Sequence, residues 1–209
     1  MNMTIDNAYN SWADNYDDVE NKTRDLEKSA AQITLNKYNY QTVIELGCGT
    51  GKNTEWLSER SDLIIGLDFS SGMLLKAKEK IKSKKVRFQE TDLTKSWNVE
   101  NHFADLITCS LTLEHIFDLN FIFSEGFKKL RPNGKFFICE LHPFKQYTGS
   151  KAKFENKNGI LELEVFTHHV SEYVNCAIKN GFKLLELEEW FDDKDKTAIP
   201  RLISFVFEK

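Results

Sequence analysis

The chain of 209 residues is 41% hydrophobic and 29% charged, a balance typical of a globular protein that can bury a substantial core. Its formal net charge of -4 and isoelectric point near 5.8 disfavour a general nucleic-acid binder, which usually carries a basic surface. No apolar run approaches membrane-spanning length, and the N-terminus lacks the apolar core of a signal peptide. We therefore expect a cytoplasmic protein with neither a nucleic-acid nor a membrane partner.

The sequence shows no internal repeat, low-complexity run or linker-like composition, so we expect one domain over residues 1–209. Its cysteines are scattered without a C-x-x-C pair, which predicts free thiols rather than disulfides or a metal site. They are Cys48, Cys109, Cys139 and Cys176. The composition is compatible with either a monomer or a homodimer.

The N-terminal segment is polar and aromatic, and three of its rings recur at helical spacing. Tyr9, Trp12 and Tyr16 are three and four residues apart, which predicts that they share one face of a helix. Thr23 is expected to cap a second helix. We expect these helices, at about residues 1–38, to pack on the domain and to cover its ligand site as a lid.

The most informative stretch is an apolar strand at residues 43–46 that runs directly into glycines at alternate positions, Gly47, Gly49 and Gly51. Glycine permits a positive φ and lets a ligand approach where a Cβ would intrude. A helix is predicted to start near Asn53, and a helix N-terminus after such a turn is a common place for a small molecule to bind. The pattern therefore predicts a ligand-binding loop.

The residues of this loop can be compared with two nucleotide-binding motifs. A phosphate-binding P-loop needs a glycine where Leu46 stands and Ser or Thr where Asn53 stands, so that interpretation is excluded. A dinucleotide-binding G-x-G-x-x-G fingerprint is weakened, because the third glycine arrives one residue early and Lys52 occupies the expected position.

The loop instead resembles the first motif of class I S-adenosylmethionine-dependent methyltransferases, an acid two residues before G-x-G-x-G at the end of a strand. A second predicted strand at 63–68 ends in an acid, and the run D-F-S-S-G-M-L from Asp68 is similar to that family's D-x-S-x-x-M-L signature. The aromatic leader also resembles that of many small-molecule members. The resemblance covers roughly residues 6–209 and is strongest over 43–141.

This resemblance implies an α/β, doubly wound fold: a seven-stranded, mostly parallel sheet with helices on both faces and an antiparallel last strand. It also implies S-adenosyl-L-methionine as cofactor. The positions expected to contact the cofactor are Tyr16, Arg24, Glu45, Gly47, Cys48, Gly49, Gly51, Asn53, Asp68, Phe69, Met73, Asp92, Leu93, Cys109, Ser110 and Leu111.

Several of these positions have an expected role. Asp68 follows Gly47 by 21 residues, and its carboxylate can accept both ribose hydroxyls. By resemblance, Phe69 would cover the adenine and Asp92 would accept the adenine amino group. Arg24 is expected to face a carboxylate of the cofactor or substrate.

The region from about 142 to 170 departs from the common pattern and is expected to be an insertion on the substrate side. It contains a predicted hairpin with its turn at Asn158-Gly159. His142 follows the fifth predicted strand and His168 follows the hairpin, so both are candidates for a base or an acceptor-orienting group. Upstream, Leu113-Glu114-His115-Ile116 resembles the family's L-E-H segment, for which an orienting role is favoured over a catalytic dyad.

The predicted function is methyl transfer from S-adenosylmethionine to a small-molecule acceptor by in-line displacement, without a metal. A nicotinamide-dependent oxidoreductase would share the sheet and Asp68, and a non-catalytic adenosylmethionine-binding protein would share the glycine loop. Both alternatives stay open at this point.

Overall fold

The computed structural model describes residues 9–10, 13, 16–17, 20–149, 153–156, 159–162, 165–192 and 196–209. The helices are α1 (Lys22–Leu35), α2 (Lys52–Arg60), α3 (Ser71–Lys80), α4 (Leu119–Lys129), α5 (Pro143–Tyr147) and α6 (Val170–Lys179), with a short 3-10 helix, η1, at Leu113–His115. The strands are β1 (Thr42–Leu46), β2 (Leu63–Asp68), β3 (Val86–Glu90), β4 (Ala104–Ser110), β5 (Leu130–Leu141), β6 (Lys153–Asn156), β7 (Gly159–Glu162), β8 (Lys183–Trp190) and β9 (Leu202–Glu208).

Seven strands form one sheet in the order β3-β2-β1-β4-β5-β9-β8. The first five strands in the chain pair in parallel, and β9 runs antiparallel to both of its neighbours. The predicted mostly parallel sheet with an antiparallel last strand is therefore confirmed. The strand order reverses between β1 and β4, which is the switch point where open α/β sheets bind ligands beyond the carboxyl ends of their strands.

Alternating side chains of the central strands supply two separate cores, one on each face of the sheet. Ile44 packs in a core with α4 and α6, whereas its neighbour Val43 packs in a second core with α1 and α2. Both are fully buried, as expected for strands covered on two faces. The two helical layers make β1 rigid, and β1 delivers the glycine loop. None of the described helices is long and apolar enough to cross a bilayer.

Two helices begin at residues other than those predicted from the sequence. Helix α1 is capped by Asn21, whose side chain accepts the backbone N–H groups of Thr23 and Arg24, so Thr23 lies inside the helix rather than at its cap. Helix α2 begins at Lys52 with Gly51 as its cap in the left-handed conformation, one residue before the predicted start. Helix α3 is capped by Ser70, whose hydroxyl accepts the N–H of Met73.

Residues 131–134 form an irregular start of β5. Ala104 pairs with Leu130 and Leu106 with Lys135, so β5 carries extra residues opposite β4. Asn133 takes a positive φ of 66° there and donates its N–H to the carbonyl of Lys209. The hairpin predicted in the insertion is confirmed as a pair of antiparallel strands, β6 and β7. Asn158 of its turn and Trp12 of the leader lie outside the described residues.

A buried carboxylate joins the ends of β4 and β5. Glu140 is 2% exposed, and its Oε1 accepts the N–H groups of Thr112 and Leu113 at 3.0 and 3.1 Å. Its Oε2 has no hydrogen-bond partner among the described residues. Burial raises the pKa of Glu140 to about 8, although the two N–H donors act in the opposite direction. This carboxyl group fixes the segment that leads from β4 into η1.

We expect Glu140→Gln to flatten the pH dependence of stability. The folded pKa of about 8 exceeds the ordinary 4.5, so the folded state binds more protons between these values, and stability is lost as pH rises through about 8. The neutral amide removes that loss, roughly 2–4 kcal/mol between pH 5 and 8. Urea unfolding at pH 5, 6.5 and 8 measures the free energy of unfolding of wild type and Glu140→Gln. Glu188→Gln, at an exposed position, is the control. Parallel curves for wild type and Glu140→Gln would contradict the expectation.

Candidate functional site

A cavity lies beyond the carboxyl ends of β1, β2 and β4, between the glycine loop and the leader. It holds about 810 Å³ of empty space when its open mouth is counted. Its lining is Tyr9, Tyr16, Arg24, Glu27, Glu45, Leu46, Gly47, Cys48, Gly49, Thr50, Lys52, Asn53, Asp68, Phe69, Met73, Thr108, Ser110, Leu111, Thr112 and His115. The cavity therefore occupies the switch point of the sheet.

Most residues predicted to contact the cofactor line this cavity, and four do not. Gly51 caps α2, and Cys109 is fully buried in the core. Leu93 also packs in that core. Asp92 directs its carboxylate to Thr94 and Lys95. Of the two residues with an expected adenine contact, Phe69 lines the cavity and Asp92 does not, so the adenine role of Asp92 stays a prediction.

The glycine loop is held to the end of β2 by Asp68. Its Oδ2 accepts the N–H of Gly49 at 2.8 Å and its Oδ1 accepts the N–H of Ser70 at 2.9 Å. The side chain is 6% exposed and lines the cavity. Asp68 therefore ties two loops together in addition to facing the ligand space, a structural task that the sequence did not reveal.

Two further carboxylates lie under the loop. Glu45 accepts the hydroxyl of Thr54 within the core, and burial raises the pKa of Glu45 to about 8. Both carboxylate oxygens of Glu27 accept the amide of Asn53 at 2.9 and 3.1 Å, and burial also raises the pKa of Glu27. Glu27 was not predicted, because α1 brings it to the site from another part of the chain. With Asp68, these groups make the cavity acidic.

The leader closes the opposite wall of the cavity with aromatic rings. Tyr9 stands 6.5 Å from Tyr16 and 5.7 Å from Phe69, measured between ring centroids. The guanidinium of Arg24 lies 4.3 Å from the centre of the Tyr16 ring and donates to the Tyr16 carbonyl. Asp17 joins the leader to the body, since its two oxygens accept from Thr50 and Lys80.

A tyrosine and a histidine meet at the edge of the cavity nearest η1. The hydroxyl of Tyr9 lies 2.9 Å from Nε2 of His115. Burial raises the pKa of Tyr9 well above its usual range, with further contributions from nearby Tyr16 and acidic groups. The phenol therefore stays protonated, and the tautomer of His115 sets which group donates in this hydrogen bond. The signals that could have found this pair are the aromatic leader and the L-E-H segment.

The two histidines chosen from the sequence are not part of this cavity. His142 is 1% exposed and caps α5 by accepting the N–H of Phe144, while its Nε2 lies 3.1 Å from Glu189. Nε2 of His168 contacts the carbonyls of Ile116 and Leu113. Both imidazoles are used to hold chain segments in place, because they follow strand or loop ends that need capping. His115 lines the cavity, whereas His142 and His168 do not. The catalytic roles of His142 and His168 stay predictions.

Comparisons with known proteins identify the family of the chain. The sequence model of the family described as "Methyltransferase domain" matches residues 44–138. The chain is 30% identical over 203 residues to malonyl-[acyl-carrier protein] O-methyltransferase of Priestia megaterium, covering 87% of this chain and 71% of that protein. It is 28% identical to phosphoethanolamine N-methyltransferase 2 of Caenorhabditis elegans over 152 residues, 71% of this chain. A solved S-adenosylmethionine-dependent methyltransferase from Mesorhizobium loti matches with a TM-score of 0.75 at 20% identity, covering 88% of this chain and 98% of that one.

The sheet order and the glycine-loop cavity define the Rossmann-like fold of class I methyltransferases. The chain belongs to the S-adenosylmethionine-dependent methyltransferases of the methyltransferase-domain family. It spans 34% of the length of the Caenorhabditis elegans protein, and 20% and 43% of two further curated relatives.

Gly49 offers a sharp test of the cavity as the cofactor site. An ideal Cβ on Gly49 meets no atom within 4 Å, so a side chain would project into the ligand space. Gly49→Asn, which suits the positive φ of 52°, should weaken S-adenosylmethionine binding at least about tenfold while the protein stays folded. Calorimetric binding and thermal unfolding measure the two effects.

Gly149→Asn is the matched control, because Gly149 also has a positive φ and no atom within 4 Å of an added Cβ, but it does not line the cavity. Equal cofactor affinity in the two variants would contradict the assignment.

Asp68→Asn should lower both stability and cofactor affinity. The amide keeps one acceptor oxygen but presents an NH₂ group to the second backbone N–H, a loss of roughly 1–3 kcal/mol. Cofactor affinity should fall at least about tenfold for the same reason. Urea unfolding and equilibrium binding test this, with exposed Asp62→Asn as control. If Asp68→Asn lowers stability but leaves the affinity for S-adenosylmethionine unchanged, Asp68 has a structural role and does not bind the cofactor.

Proposed function

We propose that this protein transfers the methyl group of S-adenosylmethionine to a small-molecule acceptor that approaches from the side of Tyr9 and His115. Bound S-adenosylmethionine supplies an electrophilic methyl group on a positively charged sulfur. The observation that carries the proposal is the contact between Tyr9 and His115, which brings a proton-accepting pair to the wall of the cavity.

The residues of the cavity fit this cofactor. Three carboxylates, Glu27, Glu45 and Asp68, suit a ligand that carries positive charge, and Arg24 offers a partner for an amino-acid carboxylate. Lys52 is engaged with Asp25 at 3.0 Å. Asp68 would accept the ribose hydroxyls with lone pairs beyond those used by the backbone N–H groups. The glycine loop that lines the cavity lacks the wider glycine spacing of nicotinamide-binding loops.

Tyr9 and His115 would act together as a proton relay. In the His115 tautomer that carries its proton on Nδ1, the phenol donates to Nε2, so the phenol oxygen can accept a proton from the acceptor as its own proton passes to the imidazole. A histidine can hold that proton near neutral pH. The pair also orients the acceptor, because a hydrogen bond to the phenol sets where the nucleophilic atom stands.

The leader would exclude water and align the reactants. Asp17 bonds to Thr50 at 2.7 Å and to Lys80 at 2.6 Å, so one segment closes over the cofactor space and also carries Tyr9. Closure by one element couples cofactor binding to assembly of the acceptor side. Alignment in a closed site supplies much of the rate in a displacement of this kind.

Removing either member of the pair should slow turnover without loss of cofactor binding. We expect Tyr9→Phe and His115→Asn each to reduce turnover roughly 10²- to 10⁴-fold with an acceptor found by screening a library with labelled cofactor. Cofactor affinity, measured separately by calorimetry, should change little, because the pair stands at the acceptor side of the cavity.

His142→Asn is the comparison variant, since asparagine retains a capping oxygen for the N–H of Phe144. Its turnover should match that of wild type. Loss of turnover in His142→Asn but not in His115→Asn would reverse the assignment. Binding of NAD in preference to S-adenosylmethionine would replace the proposed function with the oxidoreductase alternative.

A further inference from the structure

Glu114 is the charged side chain next to the proposed relay. It precedes His115 on η1, and its backbone carbonyl accepts the N–H of Phe166 at 2.7 Å. Its Oε2 is 3.4 Å from the amide of Gln146 on α5. Three segments, η1, α5 and the stretch before α6, therefore converge on Glu114, immediately beside a residue that lines the cavity.

Within the part of the chain that the structure describes, no basic side chain pairs with the carboxylate of Glu114. Burial raises the pKa of Glu114, and the long hydrogen bond from Gln146 only partly opposes that effect. The described residues place no Lys, Arg or His within 4 Å of its carboxylate. A half-buried carboxylate without a counter-ion is costly, and a positive ligand would relieve that cost.

The negative field of this carboxylate reaches the relay. Glu114 and Glu140 both contribute to the raised pKa of Tyr9, after burial and Tyr16. The two acids are adjacent, since Glu140 binds the N–H groups of Thr112 and Leu113 directly before Glu114. An anionic acceptor at this place would meet repulsion from the ionised carboxylate of Glu114.

Exposed aromatic rings lie on or next to these segments. Phe117, two residues after η1, is 78% exposed and lies 5.4 Å from the ring of Phe166, and Tyr147 on α5 is 53% exposed. Aromatic faces attract ammonium groups, particularly beside a carboxylate.

We propose that the acceptor is a cationic amine, whose ammonium group is bound by Glu114 among these rings and whose nitrogen receives the methyl group. This inference rests on the proposed function and names its substrate class. The ammonium first gives one N–H proton to the Tyr9 oxygen as Tyr9 passes its own proton to His115. The freed lone pair then forms the N–C bond, while the S–C bond breaks and its electron pair stays on sulfur.

Three isosteres that differ in charge test the inference. Choline, 3,3-dimethylbutan-1-ol and 3,3-dimethylbutanoate have similar shapes and are cationic, neutral and anionic. We expect choline to bind the protein, saturated with S-adenosylhomocysteine, at least roughly tenfold more tightly than the other two. Glu114→Gln should abolish this preference, whereas exposed Glu188→Gln should keep it.

Choline affinity should also weaken as the pH is lowered through the raised pKa of Glu114, because the protonated carboxyl group loses its charge and choline does not titrate. Equal or tighter binding of the neutral or anionic isostere overturns the inference, as does a preference that survives in Glu114→Gln.

Binding of S-adenosylmethionine is measured on the same samples. Failure to bind it would count against the proposed function, whereas normal cofactor binding without a preference for the cation would overturn only the amine assignment. The isostere series repeated without S-adenosylhomocysteine tests the cation preference independently of the cofactor.

Discussion

The hydrogen bonds from Gly49 and Ser70 to the carboxylate of Asp68 are the constraint on which the site depends. They join the loop after β1 to the loop after β2 at distances of 2.8 and 2.9 Å. Parallel strands bring these two loops to the same edge of the sheet, but strand pairing ends at Leu46 and Leu67. Without Asp68, the link between the glycine loop and the end of β2 would depend on the N–H groups of Gly47 and Cys48, which donate to the carbonyl of Leu67. The residue that faces the ligand space is thus also the one that shapes it.

Burial of acidic groups is the second feature that organises the site. Glu27, Glu45 and Glu140 are each less than 6% exposed, and burial raises the pKa of all three. Glu27 and Glu45 line the cavity. Buried acids lower stability when ionised, so their presence there is more readily explained by function than by packing. A bound group with positive charge, such as the sulfonium of the cofactor, would favour their ionised form.

The leader contacts both the glycine-loop side of the cavity and the proposed acceptor side at Tyr9 and His115. Asp17 contacts the end of the glycine loop and α3, Tyr16 stacks with Arg24, and Tyr9 reaches His115. These contacts come from one short segment, so movement of the leader would open the cavity and separate the relay in one event. The enzyme would then form its proton-accepting pair only when the cofactor is enclosed.

The sequence by itself determined the order of strands and helices, the glycine loop and most of the residues that line the cavity, because these signals are local. Alternating apolar residues, glycine spacing and a terminal acid such as Asp68 each act within a few neighbouring positions. Only the tertiary structure determined which of these side chains contact one another. Glu27 reaches Asn53 from α1, and Tyr9 meets His115 across 106 positions of chain. His142, attractive from its place after β5, is turned inward because the first turn of α5 needs a cap. Such choices depend on how layers pack and which buried polar atoms need partners, and no local pattern encodes them.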